Sequence, residues 1–195
     1  MILGNSRDRY GAVAMTLHWL LAAAILFMLW LGLFMTSLED SDPRTFPLFQ
    51  VHKSIGLTIL ILSVARLLWR LANPAPPPPA HSPRWERIAA RAVHALFYVL
   101  MIAVPLMGWA TVSSAPLAVP TQWFGLFEWP HIPVLADLPR AQKRLIEPSL
   151  AGTHGALAFS MLVLAGLHAA AALKHHFRDR DDVLKRMLPW TKLPT

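Results

Sequence analysis

The chain contains no cysteine. That absence excludes disulfides, iron–sulfur ligation by thiolates, cysteine-based zinc sites and covalent haem attachment through a C-x-x-C-H motif. It also leaves the redox compartment unmarked, because there is no thiol to read. Charge is scarce too. Only 15% of residues are Asp, Glu, Lys or Arg, against about 25% in an average soluble domain. The long apolar runs carry no Asp, Glu or Cys at their middles. A metal transporter needs such ligands near the bilayer midplane, so that class fits poorly.

What the chain has instead is apolar length. Four segments are long enough to cross a bilayer, which takes about 20 residues each. They lie at roughly residues 13–35, 50–71, 87–112 and 152–174. The first is too long for the apolar region of a signal peptide, and no convincing small-residue cleavage site follows it, so it reads as a retained helix. Lys and Arg at the span ends set the orientation. Thirteen fall on the side of the N-terminus, the connection between the second and third spans with its helix ends (residues 66–91) and the C-terminal tail, and five on the other side. Both termini are therefore expected in the cytoplasm, with the chain a multi-pass protein of a bacterial inner membrane. The formal charge of +7 then reports topology, and nucleic acid is not an expected partner.

The expected fold is all-α: an up-and-down bundle of four transmembrane helices, with residues 1–195 as one domain and neither an internal repeat nor a second soluble domain. NPAPPPPAHSP, residues 73–83, cannot be helical and reads as a stiff spacer. The long outer loop, residues 113–151, contains PTQWFGLFEWPHIP, whose aromatic side chains suit the headgroup level. LADLPRAQKRLIEP after it reads as a short amphipathic helix lying on the outer surface.

Nine histidines are present. Ionisable groups inside a span are costly and by default face the bundle interior, where they act. His18, His52, His94, His154 and His168 fall within the expected spans. Following the chain up and down places His18, His94 and His168 toward the cytoplasm, and His52 and His154 toward the outside. The last helix links the two depths. His154 and His168 are fourteen residues apart, a rise of about 21 Å and a rotation about 40° short of four full turns. They point the same way, one near each face. By depth, His154 matches His52 and His168 matches His18. Two histidines from different helices, facing across a bundle, can supply both axial ligands of a haem iron. Interhelical hydrogen bonding is the competing explanation for any one of them, but it does not require two depth-matched pairs. Gly32 and Gly108 follow His18 and His94 by fourteen residues, so each returns to the same helix face at the opposite depth, where a macrocycle needs room.

His94 is left over at the cytoplasmic depth, as a donor to a haem propionate, a wall of a quinone pocket or a packing residue. Arg66 and Arg70, one turn apart, are candidates for propionate contacts and equally for plain positive-inside anchors. His175 and His176 lie past the membrane in a basic tail and read as solvated. His81 and His131 read as incidental loop residues.

The segments TLHWLLA at His18, QVHKSIGLTILILSVARLLWRL at His52, HALFYVLMIAVPLMGW at His94 and THGALAFSMLVLAGLHAAAALKHHFRDRDDVLKRMLP together resemble the prokaryotic cytochrome b561 family. These are four-helix b-type cytochromes that include haem-bearing membrane subunits of hydrogenases. The resemblance covers nearly the whole chain, and its last stretch looks much like a small member that oxidises superoxide and reduces ubiquinone. It implies two non-covalent b haems, with iron ligands His18, His52, His154 and His168, and a lipid bilayer, a quinone and a periplasmic electron donor (superoxide or a redox protein) as partners. The implied activity is that of a membrane oxidoreductase, the alternative being a haem-bearing anchor subunit of a larger dehydrogenase or hydrogenase-type complex. One departure is the long outer loop before His154, on the surface where a donor docks. For superoxide, Arg44, Lys53, Arg140, Lys143 and Arg144 can form a steering patch there, diluted by Glu39, Asp40, Asp42, Asp137 and Glu147.

Overall fold

Four helices long and apolar enough to cross a membrane dominate the computed structural model, which describes residues 2–39, 41–79 and 82–191. They are α1 (Ala12–Met35), α2 (Thr45–Ala72), α3 (Arg84–Ser113) and α5 (Arg140–Lys174). The shortest, with 24 residues, is about 36 Å long at 1.5 Å per residue, enough for a hydrocarbon core of about 30 Å. Between α3 and α5 the chain forms a two-stranded antiparallel hairpin, β1 (Thr121–Trp123) and β2 (Phe127–Trp129), and one short turn of helix, α4 (Pro133–Ala136). The protein is a multi-pass, mostly helical membrane bundle, as its apolar runs predict.

Around the bundle α1 packs on α2, α2 on α3 and α3 on α5, while α5 and α1 touch little. Leu21, Ile59, Leu100, Met101, Met161 and Leu164, drawn from all four long helices, form the buried cluster at mid-depth. Few other large side chains are buried, because the outer faces of such helices meet lipid and need no protein cover. Both termini lie at one end, called here the terminal end; the hairpin lies at the other, the loop end. At the terminal end the N-terminal segment, the proline-rich stretch and the C-terminal tail are tied together. The Asn5 amide donates to the carbonyls of Asn73 and Pro74, Arg9 to those of Leu188 and Thr191, and Arg186 to that of Pro77. Residues 74–79 carry no helix or strand, as the spacer reading requires. His81, Asp40 and Lys192 lie outside the described residues.

One expectation fails. LADLPRAQKRLIEP is not a separate surface helix; its end belongs to the same helix that carries the fourth apolar run. After α4 the chain turns at Asp137–Pro139, and α5 runs unbroken from Arg140 through Pro148. The proline removes one N–H donor, freeing only the Arg144 carbonyl four residues back. Near the loop end such a carbonyl is within reach of water or headgroups, so the helix survives. The outer connection is therefore residues 114–139 rather than 113–151.

The hairpin was not anticipated either. Its turn places Phe124 (φ 49°) and Gly125 (φ 72°) in the left-handed region, with the Leu126 N–H bonded to the Trp123 carbonyl at 3.0 Å. This is the turn sense that matches strand twist, and glycine adopts it without strain. The hairpin is pinned to α2. Fully buried Ser54 accepts from the Phe124 N–H at 3.0 Å and donates to the Gln122 carbonyl at 3.0 Å. Gln50 and Lys53 both donate to the Pro120 carbonyl, at 2.9 and 3.0 Å. On the other flank the Trp109 indole donates to Pro130, and the Ile132 N–H to Ser113. Ser54→Ala should remove the hydrogen-bond partner of two part-buried backbone groups and lower stability by about 1–3 kcal/mol. Thermal melting and limited proteolysis of the 114–139 loop check this; cleavage no faster than in the unaltered protein refutes it.

Candidate haem-binding sites

The last helix does what its spacing predicts. At the terminal end the rings of His18 on α1 and His168 on α5 stand with centroids 6.3 Å apart and planes at 72°. At the loop end, His52 on α2 and His154 on α5 stand 6.1 Å apart at 79°. Both depth-matched pairs are thus brought together, with the mid-depth apolar cluster between them. Metal–imidazole nitrogen bonds are about 2 Å long, so two imidazoles sharing one metal, nitrogens inward, put their ring centres roughly 6 Å apart. Both pairs meet that requirement.

The loop-end pair is the more tightly held. His154 Nδ1 lies 2.9 Å from the Val104 carbonyl on α3. A carbonyl only accepts, so Nδ1 carries the proton and Nε2 keeps its lone pair, the tautomer a metal ligand needs. One turn on, Gly108 makes this approach possible. A Cβ there would stand 3.1 Å from His154 Cε1 and 3.3 Å from its Nδ1. Gly32 faces the same level, where a Cβ would meet His52 Cε1 at 3.7 Å, an ordinary contact. Both glycines chosen from their fourteen-residue spacing thus lie beside the loop-end imidazoles. His52 Nδ1 is buried with no hydrogen-bond partner among the described residues, an orphaned polar atom of the kind that marks a site built for something more.

The terminal end is more crowded. His94 on α3 stands 5.6 Å from the His168 ring, and Phe97 stands 5.3 Å from it. The histidine that sequence depth left unpaired therefore joins the inner pair, making three imidazoles from α1, α3 and α5. Arg66 donates to the Ala14 carbonyl at 3.1 Å and to His18 Nδ1 at 3.3 Å. A guanidinium cannot accept, so here His18 Nδ1 is the acceptor and its proton sits on Nε2. Ligation through Nε2 requires the opposite tautomer. For a neutral imidazole the Arg66 contact and a metal on Nε2 exclude one another, so ligation there would require Arg66 to give up this nitrogen. Arg70 lines a small cavity beside it with Tyr10, Trp69 and Tyr98.

The charged residues correct two expectations. The loop-end basic patch is largely spoken for. Arg44 is ion-paired with Asp42 at 2.8 Å and holds that carboxyl down at about 2, so the pair stays neutralised at physiological pH. Lys53 is bound to Pro120, and Lys143 is buried at 7% exposure. Arg140 and Arg144 remain exposed. At the terminal end His175 is not a solvated tail residue. It is half-buried, its Nδ1 2.7 Å from Asp181 and 3.2 Å from Asp179. The Val104 carbonyl has only a faint sequence signal as a site feature, and the Ser54 anchor has none. The i+4 spacing of Val104 and Gly108, on the helix opposite His154, is the one clue to the first.

Gly108→Val should force His154 away from Val104 and destabilise by about 1–3 kcal/mol through overpacking. Gly152→Ala, where an added Cβ meets nothing within 4 Å, should be neutral or stabilising by up to about 1 kcal/mol from helix propensity. Thermal unfolding in detergent compares them, and equal shifts would refute the Val104–His154 account.

Comparison with known proteins agrees with this architecture. Residues 9–190 match the family model described as prokaryotic cytochrome b561. Cytochrome b561 homolog 2 of Escherichia coli (strain K12) is 39% identical over 192 residues, spanning 96% of this chain and 95% of the relative. A probable superoxide oxidase, CybB, of Yersinia pestis is 30% identical over 188 residues, 93% and 96% of the two chains. Cytochrome b562 of Cereibacter sphaeroides is 26% identical over 183 residues, 92% and 94%. The chain therefore belongs to the prokaryotic cytochrome b561 family of membrane electron-transfer proteins, whose cofactor is b-type haem.

Proposed function

We propose that the chain is a dihaem electron carrier, His18 and His168 holding one haem iron at the terminal end and His52 and His154 another at the loop end. The single observation that carries this reading is the pair of ring separations, 6.3 and 6.1 Å, both near the spacing two imidazoles adopt on one metal. Haem held by two imidazoles supplies one-electron exchange with no open position at iron. The surrounding residues tune and shield the sites. Val104 fixes the His154 tautomer, and the hairpin pinned by Ser54 keeps water from the loop-end pair. Arg66 and Arg70 are placed to receive propionates, the acceptor to which Arg66 turns on leaving His18. His94 lines the space where a quinone meets the terminal-end site.

In this reading both termini face the cytoplasm of a bacterial inner membrane, a donor acts at the loop end, and quinone is reduced at the terminal end. The Yersinia relative described as a probable superoxide oxidase makes superoxide the candidate donor. The balanced reaction is two superoxide ions plus one quinone plus two protons, giving two dioxygen and one quinol. One observation favours a second reading. With Arg44 neutralised by Asp42 and Lys143 buried, the patch that could steer a small anion is reduced, with Arg140 and Arg144 its exposed members. A redox protein docking at the loop end, with the chain as a haem-bearing anchor of a larger complex, suits that surface. Co-purification with a dehydrogenase subunit favours the anchor, and superoxide-driven quinone reduction by the isolated chain favours the enzyme.

Haem quantification and reduced-minus-oxidised spectra on four variants test the ligand assignment. Wild type should carry two b haems per chain. His18→Ala or His168→Ala should each remove one haem, and His52→Ala or His154→Ala the other. Loss of the same haem in His18→Ala and His154→Ala would overturn the pairing. Arg66→Ala should loosen only the terminal-end haem. Removing a charge-assisted bond of about 1.5–3 kcal/mol corresponds to roughly ten- to hundredfold weaker retention, measured by haem transfer to an acceptor protein.

A further inference from the structure

Below the terminal-end imidazoles, at the junction of α3 and α5, five titratable side chains form one connected string. Glu86, in the first turn of α3, accepts from Lys174 Nζ at 2.6 Å. Lys174 also reaches Asp179 at 2.7 Å. Asp179 lies 3.2 Å from His175 Nδ1, and the same nitrogen lies 2.7 Å from Asp181 Oδ2. The string lines a cavity of about 300 Å³. Local backbone geometry builds it. At its C-terminal end α5 widens into a π-helix over His175–Asp179, a form concentrated at functional sites. Arg180 then adopts a left-handed conformation (φ 54°), which brings Asp181 back against His175.

Its position matters as much as its chemistry. His175 follows His168 by seven residues, a rise of about 10 Å and a rotation within about 20° of two full turns. It continues the face that carries His154 and His168. A clamp between α3 and α5 needs only the Lys174–Glu86 pair. Beyond that pair, the His175 Nδ1 is shared by two carboxylates, which only accept, so Nδ1 carries a proton and exchange is left to Nε2. The groups that face it are Asp181 (5% side-chain exposure) and Asp179 (24%) from its own segment, with Arg178 acting on Asp179. Lys174 on α5 and Glu86 on α3 complete the surroundings.

We propose that His175, oriented through Nδ1 by Asp179 and Asp181, is the proton-loading group for quinone reduction at the terminal-end site. This rests on the quinone reading above. Quinone becomes quinol by gaining two electrons, delivered through the bundle from the donor, and two protons, one new O–H bond on each oxygen. His175 Nε2 takes each proton from water in the cavity and gives it up toward the quinone. Nδ1 keeps its own proton between the two carboxylates, so the group is restored after each transfer. Lys174 and Glu86 are positioning residues that hold Asp179 in place.

The test uses purified, haem-loaded protein in detergent, pre-reduced and mixed with a short-chain quinone. His175→Gln and Asp181→Asn are compared with wild type between pH 5 and 9. Quinol formation, proton uptake (by indicator dye), haem content and reduced-minus-oxidised infrared spectra are followed together. Wild type should take up two protons per quinone, and its infrared difference spectrum should carry imidazole and carboxylate bands. His175→Gln should keep both haems and the unaltered visible spectrum, lose those bands, and form quinol roughly tenfold or more slowly at high pH. The deficit should shrink as pH falls, and added imidazole should restore much of the rate, which a merely structural role does not permit. A His175→Gln rate equal to wild type at every pH overturns the relay. So does a loss that is uniform with pH, unrescued by imidazole and accompanied by haem loss, which marks a clamp. If reduced wild type is not reoxidised by quinone at all, the quinone reading itself fails, and the relay with it.

Discussion

One helix carrying two imidazoles on the same face constrains everything else in this bundle. Because α5 turns almost a whole number of times between His154 and His168, the two can only be met by partners at two depths on the opposing helices. His52 and His18 occupy those depths because α1 and α2 run in opposite directions. The four-helix arrangement is thus tied to a fourteen-residue interval. Inserting or deleting one residue between the histidines would turn one of them by about 100°, away from its partner and into the neighbouring helix or lipid.

The two ends solve the same geometric problem differently. At the loop end the backbone does the holding: a carbonyl on α3 sets the His154 tautomer, a glycine lets the helices close, and a hairpin is pinned by Ser54 to the helix that carries His52. At the terminal end side chains do the holding. Arg66 and His94 crowd the His18–His168 pair, and Arg66 occupies a nitrogen of His18 that ligation through Nε2 would need protonated. A site held by backbone groups has one geometry. A site held by long side chains can rearrange as its occupant changes.

The long-range plan was legible because it is written in periodicity. Apolar runs longer than a bilayer is thick announce the spans, and helical spacing orders His18, His52, His154 and His168 by depth. The failures share a different cause. LADLPRAQKRLIEP merges into α5 because Pro148 releases only a single carbonyl, near the end of the helix, where it does little harm. The hairpin at 121–129 is held by side chains of α2 some seventy residues away in sequence, which no local pattern can reveal. His94 meets His168 only because α3 packs on α5, so depth alone left it without a neighbour. His175 was misjudged because its partner Asp181 is returned to it by one left-handed residue, Arg180.

The unbroken length of α5 has a mechanical meaning. Its first turns, Arg140 to Ala151, project past the level of the loop-end histidines and keep Arg140, Arg144 and Leu145 exposed. That projecting stem is the same rigid rod that seats one imidazole of each pair. Whatever leans on the stem from outside is therefore pushing on a lever whose far arm ends at His168 and the carboxylates beneath it. The two ends of the bundle are joined by a single stiff element, with one imidazole of each histidine pair strung along it.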